Sequence, residues 1–282
     1  DLTNVTQLEN LYYSNTGITT IDLTNVTQLI TLNCSNNNEI SSLDLTNVTQ
    51  LENLYCSNTA IPSLDLTKVN KLITLNCSNN NEISSLDLTN VTQLENLYCS
   101  NTTIPSLDLT KVNKLITLNC SNNIEISSLD LTNVTQLENL DYSNTGITSL
   151  DLTKVNKLIT LNCSNNGLTS LDLTKVTQLK NLDCYNTGIT SLDLTKVNKL
   201  IRLNCSNNGL TSLDLTNLSQ LIFLNCISNN INQVTSESIA GDIINNNIIG
   251  GLLFIKFQKS GFITIQGNLL TLQQPPYSWT IN

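Results

Sequence analysis

A 43-residue stretch occurs twice in succession in this chain, almost letter for letter. Leu43 to Ser85 and Leu86 to Ser128 differ only where Ala60 faces Thr103 and Asn81 faces Ile124. Each stretch is itself two related units, of 21 and 22 residues. Units open at Asp1, Asp22, Asp44, Asp65, Asp87, Asp108, Asp130, Asp151, Asp172, Asp193 and Asp214. A fixed period of this size constrains the fold more than any other property of the chain. Such a unit cannot bury its own apolar face and is stable only against its neighbours, which makes a solenoid.

The unit Asp151 to Leu171, DLTKVNKLITLNCSNNGLTSL, shows what each coil contributes. Leu152, Val155, Leu158, Leu161, Cys163, Leu168 and Leu171 are apolar and are expected to point inward. From Leu158 to Leu168 apolar and polar residues alternate as in a short half-buried strand. Asn and Gly follow, which are turn residues. The pattern LxxLxCxxNxL resembles the leucine-rich repeat, with cysteine in the third leucine slot, and the chain is similar to bacterial short-repeat proteins of the internalin type. The match runs over residues 1–231. The resemblance implies a β-rich, right-handed solenoid with a parallel sheet on its concave side, short irregular convex segments and a C-terminal α/β cap. It also implies a protein that binds proteins or glycans rather than an enzyme.

The resemblance further implies a ladder residue that bonds the turn backbone. That position is Asn37, Asn80, Asn123, Asn166 and Asn208 in alternate units, and Thr16, Thr59, Thr102, Thr145 and Thr187 in the others. Threonine does the same work with a shorter reach, so neighbouring turns are expected to be unequal. After Ile231 the period stops. Residues 232–282 are taken as the cap that covers the last coil. A short helix is expected over Ser236 to Asn246, and strands over Leu252 to Gln258, Phe262 to Gln266 and Tyr277 to Ile281.

Nine cysteines raise the question of metal or redox chemistry. All nine occupy one repeat position, and Tyr13 and Tyr142 take it in two other units. A slot that also accepts tyrosine is a packing slot, in which cysteine acts as a small hydrophobe. Disulfides are the weaker reading, since side chains on adjacent parallel strands project side by side. With no histidine and no CxxC, zinc has no conventional ligand set. The Asp column supplies one carboxylate per coil, too few oxygens for calcium. It is read instead as a turn cap that accepts the backbone N–H two or three residues on. No cofactor is expected, and no convergence of unlike groups suggests catalysis.

The net charge of -9 and the lack of a basic stripe argue against nucleic acid. No apolar run is long enough to span a bilayer. The chain has no methionine and opens inside a repeat, which predicts a trimmed or processed protein with a removed secretion leader. A secreted or cell-surface location is expected. The first coil would expose Leu2, Val5, Leu8, Leu11, Ile18 and Ile21 at an open edge. Either an upstream domain or self-association through that coil is expected to cover them.

Function is then read from what the strands display. Odd units show Asn10 and Tyr12, Asn53 and Tyr55, and Asn96 and Tyr98; even units show Asn33, Asn76 and Asn119 beside threonines. Further along, Asp141 and Asp183 replace the tyrosine. Rigid aromatics among amides and hydroxyls suit recognition of a protein or glycan ligand. The expected role is an adhesion or recognition module. The alternatives are a structural protein stacked into a fibre or matrix and, less favoured, an ice-binding protein built on the Thr columns.

Overall fold

The structure is a computed structural model that describes residue 2, residues 4–231, and residues 238–239, 241–242, 251–254 and 279–281. The chain divides into two compact units, Asp1–Gly146 and Ile147–Asn282.

In the first unit seven three-residue strands pair in chain order, all parallel and in register: β1 (Asn10–Tyr12), β2 (Thr31–Asn33), β3 (Asn53–Tyr55), β4 (Thr74–Asn76), β5 (Asn96–Tyr98), β6 (Thr117–Asn119) and β7 (Asn139–Asp141). In the second unit β8 (Thr160–Asn162), β9 (Asn181–Asp183), β10 (Arg202–Asn204) and β11 (Phe223–Asn225) pair in the same way. Two further strands, β12 (Gly251–Phe254) and β13 (Trp279–Ile281), extend that parallel ladder. β13 falls within the strand expected over Tyr277 to Ile281, and β12 overlaps the one expected over Leu252 to Gln258 but starts one residue earlier, at Gly251. Most of the expected helix and the strand expected over Phe262 to Gln266 lie outside the described residues. Of the helix, residues 238–239 and 241–242 are helical. Its Ile239 is fully buried, and Asp242 accepts the backbone N–H of Leu215 at 3.1 Å.

Each coil is built from short-range chemistry. Asp65 Oδ1 accepts the N–H of Thr67 at 2.9 Å, and the same bond forms at every described column position from Asp22 to Asp214. The side-chain and backbone bonds from Thr67 also hold the Asp65 carboxyl below the usual range. Two successive turns follow, closed by Val69 N–H to Leu66 C=O at 3.3 Å and Leu72 N–H to Val69 C=O at 3.1 Å. These turns, not helices, carry the chain back across the side opposite the sheet. The strand comes next, and an asparagine at positive φ ends it: Asn58 at 55°, Asn79 at 59°, Asn101 at 54°. Asparagine tolerates this left-handed conformation better than other side chains with a Cβ. The column runs from Asn15 to Asn207, with Ser228 in the last coil.

The core is the inward column of every coil. Leu152, Val155, Leu158, Leu161, Cys163 and Leu168 are at most 3% exposed. Each aliphatic side chain so buried contributes roughly 1.5–3 kcal/mol. Leu171, also expected inside, is only half-buried at the corner of its coil. All nine cysteines are buried thiols at 0% exposure, and Tyr142 at 0% sits in the same column. Burial pushes up the thiols of Cys56, Cys77, Cys99 and Cys120, to about 12 for Cys77. The first coil differs: Leu2, Leu8, Leu11, Ile18 and Ile21 are half-buried and Val5 is 40% exposed, whereas Val26, Leu29 and Leu32 of the next coil are at 0%.

The ladder residues extend one expectation. Threonine bonds its own turn as asparagine does, its hydroxyl reaching the carbonyl three residues back, and the two residue types also form one joint between coils. Asn80 Nδ2 donates to Cys77 C=O in its own coil and to Cys56 C=O in the preceding coil, both at 2.9 Å. Its Oδ1 accepts Thr59 N–H and lies 2.8 Å from the Thr59 hydroxyl. That hydroxyl shares its one proton with Cys56 C=O at 3.1 Å. The same joint links Thr16 to Asn37, Thr102 to Asn123, and Thr187 to Asn208. Asn166 likewise donates to Cys163 C=O at 2.9 Å. In each of these joints the asparagine reaches a carbonyl across coils while the threonine hydroxyl reaches one within its own.

Candidate functional site

The outward residues of each strand flank a buried leucine, giving the half-buried, buried, half-buried pattern of β3 to β9. Strict parallel register stacks like positions into rows. One row reads Tyr12, Asn33, Tyr55, Asn76, Tyr98, Asn119 and Asp141. The row beside it reads Asn10, Thr31, Asn53, Thr74, Asn96, Thr117 and Asn139. The expected site residues of this unit therefore do share one face.

They do not contribute equally. Tyr12 on β1 is 64% exposed, while Tyr55 and Tyr98 are half-buried. Between these two lies a hollow of about 420 Å³ lined by Tyr55, Thr74, Asn76, Asn96 and Tyr98. Strands spaced about 4.8 Å apart put the two tyrosines roughly 9.6 Å apart along the sheet. The hollow thus has two aromatic walls and a floor of one hydroxyl and two amides. Asn33, Asn76 and Asn119 are partly committed to the fold: each Oδ1 accepts the N–H two residues on, from Ser35, Ser78 and Ser121, at 3.1 Å. Asp141 is committed in the same way, accepting the N–H of Ser143 at 3.0 Å and its hydroxyl at 2.7 Å. Asp183, in the second unit, accepts Tyr185 N–H at 3.0 Å and the Asn204 amide on both carboxylate oxygens at 3.1 Å.

Thr74 belongs to the hollow although reading aromatics and amides alone passes it over; its register with Asn53 and Asn96 is the signal that finds it. Asn229 is a further ladder residue, missed because the motif decays there. It stands three residues after Cys226, as Asn37 does after Cys34, and donates to Cys205 and Cys226 C=O at 2.9 and 3.0 Å. Among the described residues no group of three or more His, Cys, Asp or Glu is placed to hold a metal, and no helix is long and apolar enough to cross a membrane.

No family model and no curated protein matches the chain. Solved structures do. The functional domain of InlJ from Listeria monocytogenes, which includes a cysteine ladder, aligns at 29% identity and TM-score 0.77, over 92% of this chain and 61% of that one. The internalin InlF from Listeria monocytogenes str. 4b F2365 aligns at 26% identity and TM-score 0.82, over 98% of this chain and 80% of that one. YopM from Yersinia enterocolitica WA-314 aligns at 26% identity and TM-score 0.60, over 73% and 43%. The chain has the short-repeat leucine-rich repeat fold and is similar to internalins. It spans 61% of the length of the InlJ domain. Its column of nine buried cysteines is the feature that InlJ's cysteine ladder brings to mind.

Proposed function

We propose that this internalin-like solenoid is a non-enzymatic recognition module of a secreted or cell-surface bacterial protein, and that it binds a glycan in the hollow between Tyr55 and Tyr98. The tyrosine spacing carries the reading. A six-membered ring placed midway between walls about 9.6 Å apart lies about 4.8 Å from each, inside the 4.5–7 Å range of favourable ring contacts. The faces of a pyranose are apolar and its rim is hydroxyl, which matches two aromatic walls over Thr74, Asn76 and Asn96. The strict repeat offers a related but more open position between Tyr12 and Tyr55, so a polymeric glycan can engage successive coils.

Glycan-array binding of the parent chain and of Tyr55→Ala/Tyr98→Ala tests this. Each tyrosine acting as a hot spot is worth about 2 kcal/mol or more, roughly a thirtyfold loss of affinity. The double variant should still fold, because both side chains lie outside the core. Unchanged binding would remove the glycan site. Binding to a protein but to no glycan, equally sensitive to the double variant, would show instead that the hollow takes an aromatic side chain.

A further inference from the structure

In an array kept near-identical by duplication, face residues that depart from the pattern are the ones copying does not explain. Four outward positions per coil alternate as Glu-Asn-Tyr-Ser and Ile-Thr-Asn-Ser. The first eight coils depart from this once, at Asp141; the last three depart at eight of twelve positions. Four of the changes put apolar or aromatic side chains where polar ones stood, and two others add cations. Lys180 replaces glutamate, Tyr185 and Ile227 replace serine, Arg202 replaces threonine, Ile222 replaces glutamate and Phe223 replaces asparagine. Decay of a redundant repeat end would loosen the core as well, yet Leu203, Cys205, Leu224 and Cys226 are all at 0% exposure.

Four of the replacements, Lys180, Arg202, Ile222 and Phe223, meet at one end of these strands. Arg202 and Phe223 are register partners on β10 and β11, and the Arg202 guanidinium lies over the Phe223 ring, 4.4 Å from its centroid. Arg202 is the sole arginine of the chain. Stacking pins a long side chain while leaving its planar N–H fork exposed. The nearest face carboxylate, Asp183, is occupied by the Asn204 amide. Next to Phe223, Ile222 is 50% exposed. Lys180 adds a second cation at the same end of this face, on a chain of net charge -9.

We infer that this patch on β9 to β11 is a second binding site, which takes a protein segment presenting a carboxylate next to an apolar side chain. The carboxylate meets the Arg202 fork in bidentate fashion, Lys180 steers it, and the apolar side chain packs on Ile222 and Phe223. Arginine and aromatics at the centre of a small apolar patch are the composition of interface hot spots.

The test restores the repeat. Arg202→Thr/Phe223→Asn installs residues that already fold at the equivalent positions of neighbouring coils. Random peptides displayed on phage are selected against the immobilised parent chain. Selected peptides should carry Asp or Glu within two positions of Leu, Ile or Phe. They should bind the restored variant at least about tenfold more weakly and Tyr55→Ala/Tyr98→Ala equally well. That last arm separates this site from the glycan hollow, since either can fail alone. Peptides without acidic residues, no selection at all, or equal binding to the restored variant would overturn the assignment. So would a parent chain that sediments as a dimer and a restored variant that sediments as a monomer, because the patch would then be covered by a second copy.

Discussion

Replacing Asn80 by alanine isolates what the ladder joint contributes. The substitution removes the acceptor of Thr59 N–H and the donor to Cys77 C=O. The Thr59 hydroxyl can turn fully to Cys56 C=O, already 3.1 Å away, so that carbonyl keeps a partner. Two buried backbone groups therefore lose a bond, each at about 1–3 kcal/mol, or about 2–6 kcal/mol together. A solenoid couples only adjacent coils, so this loss falls on one joint, within a total stability of roughly 5–15 kcal/mol. Thermal unfolding followed by circular dichroism should show Tm lowered by on the order of 5–20 °C. The control is Asn81→Ile, the residue found at Ile124 in the following copy, which should leave Tm nearly unchanged. Asn80→Asp separates the two halves of the amide. It keeps the acceptor, loses both donors and places a carboxyl against two carbonyl oxygens. Such a group favours its neutral form, so that variant should be more stable near pH 4 than near pH 7. An Asn80→Ala shift as small as that of Asn81→Ile would refute the joint.

Thiol reagent added to the native chain should find almost nothing, and nine thiols should appear on unfolding, because every cysteine is at 0% exposure. Burial raises Cys77 from 9.0 to about 12. Its contribution is thus fully present below about pH 9 and is lost as pH rises toward 12, at about 1.4 kcal/mol per pH unit; a denaturation midpoint that is flat from pH 9 to 11 would contradict this. The Asp column works in the opposite direction. Bonds from Thr67 lower the Asp65 carboxyl, so its contribution is present above about pH 4 and is lost as pH falls through the lowered value. Thr67→Val removes the hydroxyl donor and should raise the Asp65 pKa in an NMR titration while leaving the backbone bond.

Much of this molecule was legible because each inward position is stated eleven times. Leu161 and Cys163 need no tertiary information: the alternation around them repeats until only one face can be inside. The Asp–Thr cap was legible for the same reason, being wholly local to two residues. The Thr–Asn joint was not. Its partners are 21 residues apart, and composition alone cannot say whether two polar residues at one repeat position act separately or as a pair. The signal was the alternation of Thr and Asn from Thr16 to Asn208, which places each threonine one coil before an asparagine. The committed oxygens of Asn76 and Asp141 were hidden too, since a side chain displayed on a strand looks available until its own turn is seen to use it.

Repetition and recognition pull in opposite directions on this scaffold, and the two proposed sites resolve that differently. Between Tyr55 and Tyr98 the repeat itself makes the site: walls and floor come from three consecutive coils, and a neighbouring joint offers a related arrangement at a fixed spacing. A repeating polymer can exploit that, because linked weak contacts multiply when their spacing matches. Arg202 and Phe223 do the reverse. They occur once, where the face departs from the copied pattern, and a unique pair suits a unique partner. The scaffold tolerates both because buried leucines, thiols and ladder amides hold each coil without help from the outward side chains. Stability is thus carried by the columns that cannot vary, and binding falls to the columns that can. A substitution on the face should therefore alter ligand binding with little change in Tm, and one in the ladder, in the turn after the same strand, should do the opposite.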